Sequence, residues 1–400
     1  MSSSRIASID IFRGLTMFLM IFVNDFWTLE GVPKWLEHAG AKEDFLGFSD
    51  VIFPAFLFIV GMSIPLAIRS RKSKGESNLK ILQHIVLRSA ILVVMGIFTV
   101  NQSEMNAEAT GLSYNLFSIL MVVGFFLAWN VYPSAEGWKK KLFQILQLAG
   151  YLLLAFLALK FRGNTDEAGH LHGMQKSWWG ILGLIGWTYL VCAGLYLFLG
   201  KTKLNRILLF VFFLFLFIAH HAGLFDILGF NPADLFPGNC AFQVFTLGGM
   251  LLASHLEVNA GERIPKMIGM PVIVAALFIL AGFLTRHFWI ISKIQATPPW
   301  VFICTGISIL VFLLLWFLVD KKGKKKWSGW LAPAGTNTLS CYVLPYLAYA
   351  LAGILSLLLP LQLPLLLRSG AVGLGKSLFF SLFIIGLSWL LARVGVKLKI

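Results

Sequence analysis

The sequence predicts an all-α, polytopic membrane protein with about twelve membrane-spanning helices, and three observations predict it. Of its 400 residues, 58% are hydrophobic and only 13% charged, with a mean hydropathy of +0.82; a soluble domain carries about 25% charged residues. Apolar runs recur along the whole chain at the roughly 20-residue length that crosses a bilayer as a helix. Runs such as ILLFVFFLFLFI do not alternate, which excludes the closed barrel, the other way to satisfy a backbone in lipid. The expected spans lie at 6–27, 48–68, 81–100, 114–132, 142–159, 178–199, 207–220, 240–256, 267–285, 300–319, 330–358 and 375–392, within a single domain covering 1–400.

With that threading, 22 of the 33 Lys and Arg residues fall on the side holding both termini and nine on the other. The excess of basic loops places both termini in the cytoplasm. The net charge of +15 is therefore a topological signal rather than a nucleic-acid footprint, and the runs RSRKSK and KKGKKK are suited to lipid headgroups. The four cysteines, Cys192, Cys240, Cys304 and Cys341, sit in or at the ends of spans with no close-pair spacing. They read as packing residues, neither disulfides nor a metal site. The first span carries Asp and Arg and lacks a small-residue cleavage site, so it reads as a retained span.

Taken in order, the first span carries Asp10 and Arg13, three apart and so on one face. An anchoring ion pair and a cavity lining both fit them. Asn24 closes that span, the loop WLEHAGAKEDFLGFSD follows with His38, and Asp50 opens the second span, which holds Pro54, Gly61 and Pro65. An amide, an imidazole and a carboxylate gathered at one membrane face are costly unless used. A histidine titrates near neutrality and can take a proton from an amine or hydroxyl; a carboxylate can orient its ring, and an amide can donate to a developing oxyanion. The trio suits acyl transfer, and also fits binding and proton coupling.

The third span places Arg88 about two turns inside the membrane, four residues after His84, facing either Asp10 or a negatively charged ligand. His170 and His172, with Asp166 and Glu167 close by, fit an exposed polar loop better than a metal site. The sixth and seventh spans form a helical hairpin over 178–220. After it, Asp226, Asn231 and Asp234 fit either a polar substrate site or a plain loop on the same side as His38. Arg286, His287 and Lys293 follow the ninth span on that side as well. In the eleventh span Gly335, Asn337, Ser340 and Tyr342 are small or polar, and Pro345 is expected to break the helix, as a cavity wall would. No internal repeat is visible, which weakens an inverted-repeat transporter reading.

The segment SIDIFRGLTMFLMIFVN…WLEHA…FSDVIFPAFLFIVGMSI resembles the heparan-α-glucosaminide N-acetyltransferase family, and LRSAILVVMGIFTVN, KIQATPPWVFICTG…LVD and GTNTLSCY are similar to it. The resemblance implies a ten-helix transmembrane acyltransferase core, with 178–220 as an extra hairpin. It implies transfer of acetyl from cytoplasmic acetyl-CoA to a glucosamine or glucosaminide amine outside. His38 matches the family's catalytic histidine, as general base or acetyl carrier, with Asn24 and Asp50 matching its partners and Asp10 and Arg13 its D-x-x-R-G start. Arg88, Asn337, Lys293 and Arg13 are then expected at the donor, and Asp10, Asp226 and Asp234 at the acceptor, with no metal. The implied partners are an amino sugar, acetyl-CoA and the lipid of a bacterial inner membrane, with no nucleic acid; a homodimer is compatible. Bacterial relatives include chains labelled N-acetylglucosamine-related transporters, so the rival expectation is a proton-coupled amino-sugar transporter using His38 and Asp50. A non-catalytic partner in an envelope complex is the third.

Overall fold

The computed structural model describes residues 6–165, 170–226, 229–258, 263–359, 364–398 and 400. Among them no strand forms. The helices are α1 (Ala7–Asn24), α2 (Ser49–Ser73), α3 (Asn78–Gln102), the short α4 (Ala107–Thr110), α5 (Tyr114–Trp129), α6 (Gly137–Lys160), α7 (Gly180–Leu199), α8 (Lys203–His221), α9 (Ala241–Val258), α10 (Ile264–Thr285), α11 (Pro298–Trp316), the short α12 (Ala332–Thr336), α13 (Thr338–Leu358) and α14 (Gly370–Arg393). A helix occupies every expected span. Eleven of them are long and apolar enough to cross a membrane; α5, with 16 residues, is shorter.

Helix ends depart from the apolar runs where polar residues cap them. α8 starts four residues before the expected 207, because the Thr202 hydroxyl accepts the Asn205 N–H at 3.1 Å. The Asp320 carboxylate accepts the Ala7 and Ser8 N–H groups, each at 3.1 Å, and so caps the positive end of α1. The expected break at Pro345 is a correction: α13 runs through it, and the interruption falls at Asn337, between α12 and α13. Proline removes one donor from the ladder, a loss that a long apolar helix tolerates when its neighbours hold it.

The chain divides into two compact units, Met1–Val23, Val32–Ser89 and Ile185–Ala332 in the first, and Asn24–Gly31, Ala90–Leu184 and Pro333–Ile400 in the second. In the first unit, α2 and α9 run parallel. Phe53 meets Phe242 edge-on at 5.5 Å and the Leu57 carbonyl accepts the Thr246 hydroxyl at 3.3 Å. A Cβ at Gly61 would overlap the Thr246 carbonyl and one at Gly249 would overlap the Phe58 carbonyl, so two glycines let the backbones touch reciprocally. α11 joins them in the same sense, Trp300 edge-on to Phe245 at 5.1 Å. Phe12, Phe58, Met62, Leu256 and Phe312 share one buried cluster further along. In the second unit α5 packs on α6, Phe117 against Phe161 at 6.0 Å, and Asn130 ties down the chain end by accepting the Lys397 N–H at 2.7 Å.

Candidate active site

Asp50 lies in the first turn of α2, where the helix dipole favours a carboxylate. Its side chain is only 2% exposed, and burying a carboxylate costs several kcal/mol unless donors surround it. The loop before the helix supplies them. Oδ2 accepts the Ala39 N–H at 3.0 Å and the Gly47 N–H at 3.2 Å, while Oδ1 stands 2.7 Å from His38 Nδ1. Gly47 is required here because any Cβ would overlap the Glu37 carbonyl. The Phe48 N–H to the Trp35 carbonyl (2.8 Å) and the Ser49 hydroxyl to the Leu36 carbonyl (2.5 Å) fold the loop back over the helix end. From α11, Trp300 Nε1 donates to the Asp50 carbonyl at 3.0 Å.

With Asp50 ionised, Nδ1 of His38 carries the proton and donates to it. Nε2 keeps its lone pair, and among the described residues it has no hydrogen-bond partner. The His38 side chain is 45% exposed. A base oriented by a buried carboxylate is the arrangement that proton abstraction or acyl carriage needs.

A second loop, between α10 and α11, completes the cluster. Asp44 accepts the Ile291 N–H and the Arg286 Nε–H, both at 2.8 Å, and the Ala41 carbonyl accepts the Ser292 hydroxyl at 3.2 Å and Gln295 Nε2 at 2.7 Å. Burial alone raises Asp44; the Ile291 N–H and the Arg286 guanidinium outweigh it and hold the carboxyl below its ordinary range. The stitched loops set Lys293 Nζ 3.1 Å from His38 Nδ1 and 3.8 Å from Asp50 Oδ1. Burial pushes the Lys293 ammonium below the usual lysine range, with Asp50 pulling the other way. The lysine expected among the donor contacts thus sits beside the imidazole.

The other candidates have their own surroundings. Asn24 belongs to the second unit, is exposed, and its side chain caps nothing. Arg13 bonds Asp10 at 3.0 Å and the Ser63 hydroxyl at 2.6 Å, and the Arg88 guanidinium lies over the Tyr189 ring at 5.2 Å. Asn337 is buried, its Oδ1 without a partner among the described residues. Asp226 is exposed. Asp234 stands 3.8 Å from His220, whose ring is clamped by the Asn231 and Asn239 amides. Trp289 Nε1 donates to the His221 carbonyl at 3.1 Å, fastening this segment to the loop that carries Lys293. Asp166 and Glu167 lie outside the described residues, among which no His, Cys, Asp or Glu group could hold a metal. All four cysteines are buried free thiols.

Two features escaped sequence reasoning. Asp25, 2% exposed, accepts Tyr349 Oη and Ser377 Oγ at 2.6 Å each and pairs with Lys376 at 2.7 Å, all within the second unit. Gln243 on α9 is fully buried, and neither atom of its amide has a partner among the described residues. No local pattern marks either residue.

The profile described as "Domain of unknown function (DUF5009)" matches residues 5–236, more than half of the chain and the stretch that builds His38 and Asp50. The chain belongs to the DUF5009 family. This DUF5009 protein is also similar to heparan-alpha-glucosaminide N-acetyltransferase of Mus musculus, 39% identical over 100 residues, which are 25% of the chain and 14% of the mouse protein. The Homo sapiens enzyme of that name is 38% identical over 97 residues, 24% of the chain and 14% of the human protein. The likeness therefore spans about a seventh of those curated relatives.

Proposed function

We propose that the protein is a transmembrane N-acetyltransferase that moves acetyl from cytoplasmic acetyl-CoA to the amine of a glucosamine or glucosaminide on the other side of the membrane. The single observation that carries the reading is the His38–Asp50 dyad, with Nδ1 committed to a buried carboxylate and the ring about half exposed. The likeness to a named N-acetyltransferase supports the reaction class. In the step proposed, the acceptor amine attacks the thioester carbonyl and gives a proton to His38 Nε2. The C–S bond breaks, and the departing CoA thiolate recovers that proton, leaving amide and free thiol. Carriage of the acetyl group on Nε2 divides the same balance into two steps.

On this reading the chain is one domain of twelve spans, α5 included and 178–220 an added hairpin, with both termini cytoplasmic in a bacterial inner membrane. Asn24 keeps the catalytic role that the resemblance gives it. Arg88, Asn337 and Arg13 are donor contacts, and Asp226 and Asp234 acceptor contacts; Asp10, bonded to Arg13 in the first turn of α1, falls with the donor side and not with the acceptor. The test is transfer of labelled acetyl to a panel of amino sugars by protein in liposomes, beside His38→Ala of confirmed fold. Removing a general base costs about 10²- to 10⁴-fold, and equal rates would remove His38 from the chemistry. Labelled sugar crossing the liposomes with no CoA release would replace the reading with proton-coupled transport, which the same proton-labile dyad could serve.

A further inference from the structure

We infer that Lys293 is a positioning residue that holds His38 in its unprotonated form by placing a competing positive charge against the ring. The inference rests on the acetyltransferase reading for its kinetic consequence and on geometry alone for its electrostatic one. Lys293 Nζ approaches the imidazole nitrogen that already donates to Asp50 (3.1 Å), so an ammonium there finds no lone pair to bond. It acts on the ring as a charge. Protonating Nε2 would set an imidazolium and an ammonium side by side, with one buried carboxylate between two cations. A like charge at such a distance disfavours the charged form, so the cluster accommodates one proton shared between His38 and Lys293 rather than two.

The surroundings leave Lys293 as the adjustable charge. Asp50 on α2 attracts the imidazolium, and the buried Cys304 on α11, 4.0 Å from the Asp50 carbonyl, faces both Asp50 and Lys293. The flanking charges are already paired, Asp44 with Arg286 at 2.8 Å and Lys34 with Glu43 at 2.7 Å. Without Lys293, the dyad would favour imidazolium, a poor base. With it, the imidazolium formed on taking the acceptor's proton is disfavoured, and that proton is readily returned to the leaving thiolate. The position, 255 residues from His38 in sequence, is fixed by the Asp44 and Ala41 bonds to the Lys293 loop.

The experiment is a pH titration of the His38 imidazole by NMR in detergent, assigned against His38→Ala, together with the pH dependence of CoA release. In Lys293→Met the His38 midpoint should rise by about one unit or more, and the acid limb of kcat/KM should move up with it. Lys293→Arg should restore the wild-type midpoint, and Lys293→Gln repeats the loss of charge should the methionine variant fold poorly. An unmoved midpoint overturns the inference, as does an unmoved acid limb with a raised KM for acetyl-CoA, which would make Lys293 a donor contact. If the wild type releases no CoA, the acetyltransferase reading fails by itself, while the NMR midpoint still decides the electrostatic claim.

Discussion

Two carboxylates in this molecule are equally buried and each faces a lysine, yet they are built for different ends. Asp25 is surrounded by side chains alone, with Tyr349, Ser377 and Lys376 converging on it, and Trp27 lies edge-on to Tyr349 at 5.2 Å. Among the described residues no histidine takes part, and the cluster closes on itself. Asp50 takes backbone N–H groups on one oxygen and gives its other oxygen to a half-exposed imidazole. Burial of an acid thus says little about function. What separates the two is whether a group that titrates near neutral pH is left facing solvent.

That contrast breaks most sharply under paired substitutions. Asp50→Asn should lower acetyl transfer by about 10²-fold or more, because the amide can donate to Nδ1 and so turns the proton onto Nε2; rates of labelled acetyl transfer measure it. Asp25→Asn should leave the turnover rate close to wild type while destabilising the protein by about 3–5 kcal/mol, the cost of stripping one partner from a buried pair. Thermal unfolding in detergent reads that loss, and a variant that melts normally but no longer turns over would erase the distinction.

Smaller effects sharpen it. Gln243→Met replaces an unpartnered buried amide with an apolar chain of similar length, and should stabilise by about 1–3 kcal/mol, seen as a raised melting temperature. Asp44 gives the smallest effect, since it is partly exposed. Its carboxyl is held below the ordinary range, so the stability it adds is complete above that range and disappears as pH falls through its lowered value. Asp44→Asn should therefore narrow the gap in unfolding free energy between neutral and acid pH, by no more than about 1 kcal/mol. It should also loosen the Lys293 loop, which hydrogen exchange at Ile291 would report.

Hydropathy made the helices legible, because twelve apolar runs have few ways to satisfy their backbones in lipid. Asp10 with Arg13 and His38 with Asp50 were legible too, being close in sequence and brought together by one helix and one hairpin. Lys293 was read as a donor contact, since nothing in its neighbourhood reveals that Asp44 and Ala41 hold its loop against His38. Asp25 passed unnoticed beside the more conspicuous Asn24, its partners Tyr349 and Lys376 lying more than 300 residues away. Pro345 was expected to break a helix that in fact runs through it, as local rules overstate a single missing donor when the segment is long.

The reciprocal glycines of α2 and α9 carry a mechanical consequence. With Gly61 seated on the Thr246 carbonyl and Gly249 on the Phe58 carbonyl, neither helix can slide or roll by a residue without driving backbone into backbone. The pair behaves as a single strut, and Asp50 rides at its tip. Any rocking that opens or shuts a path through this protein must carry the strut whole, pivoting where it meets other helices rather than along its own seam.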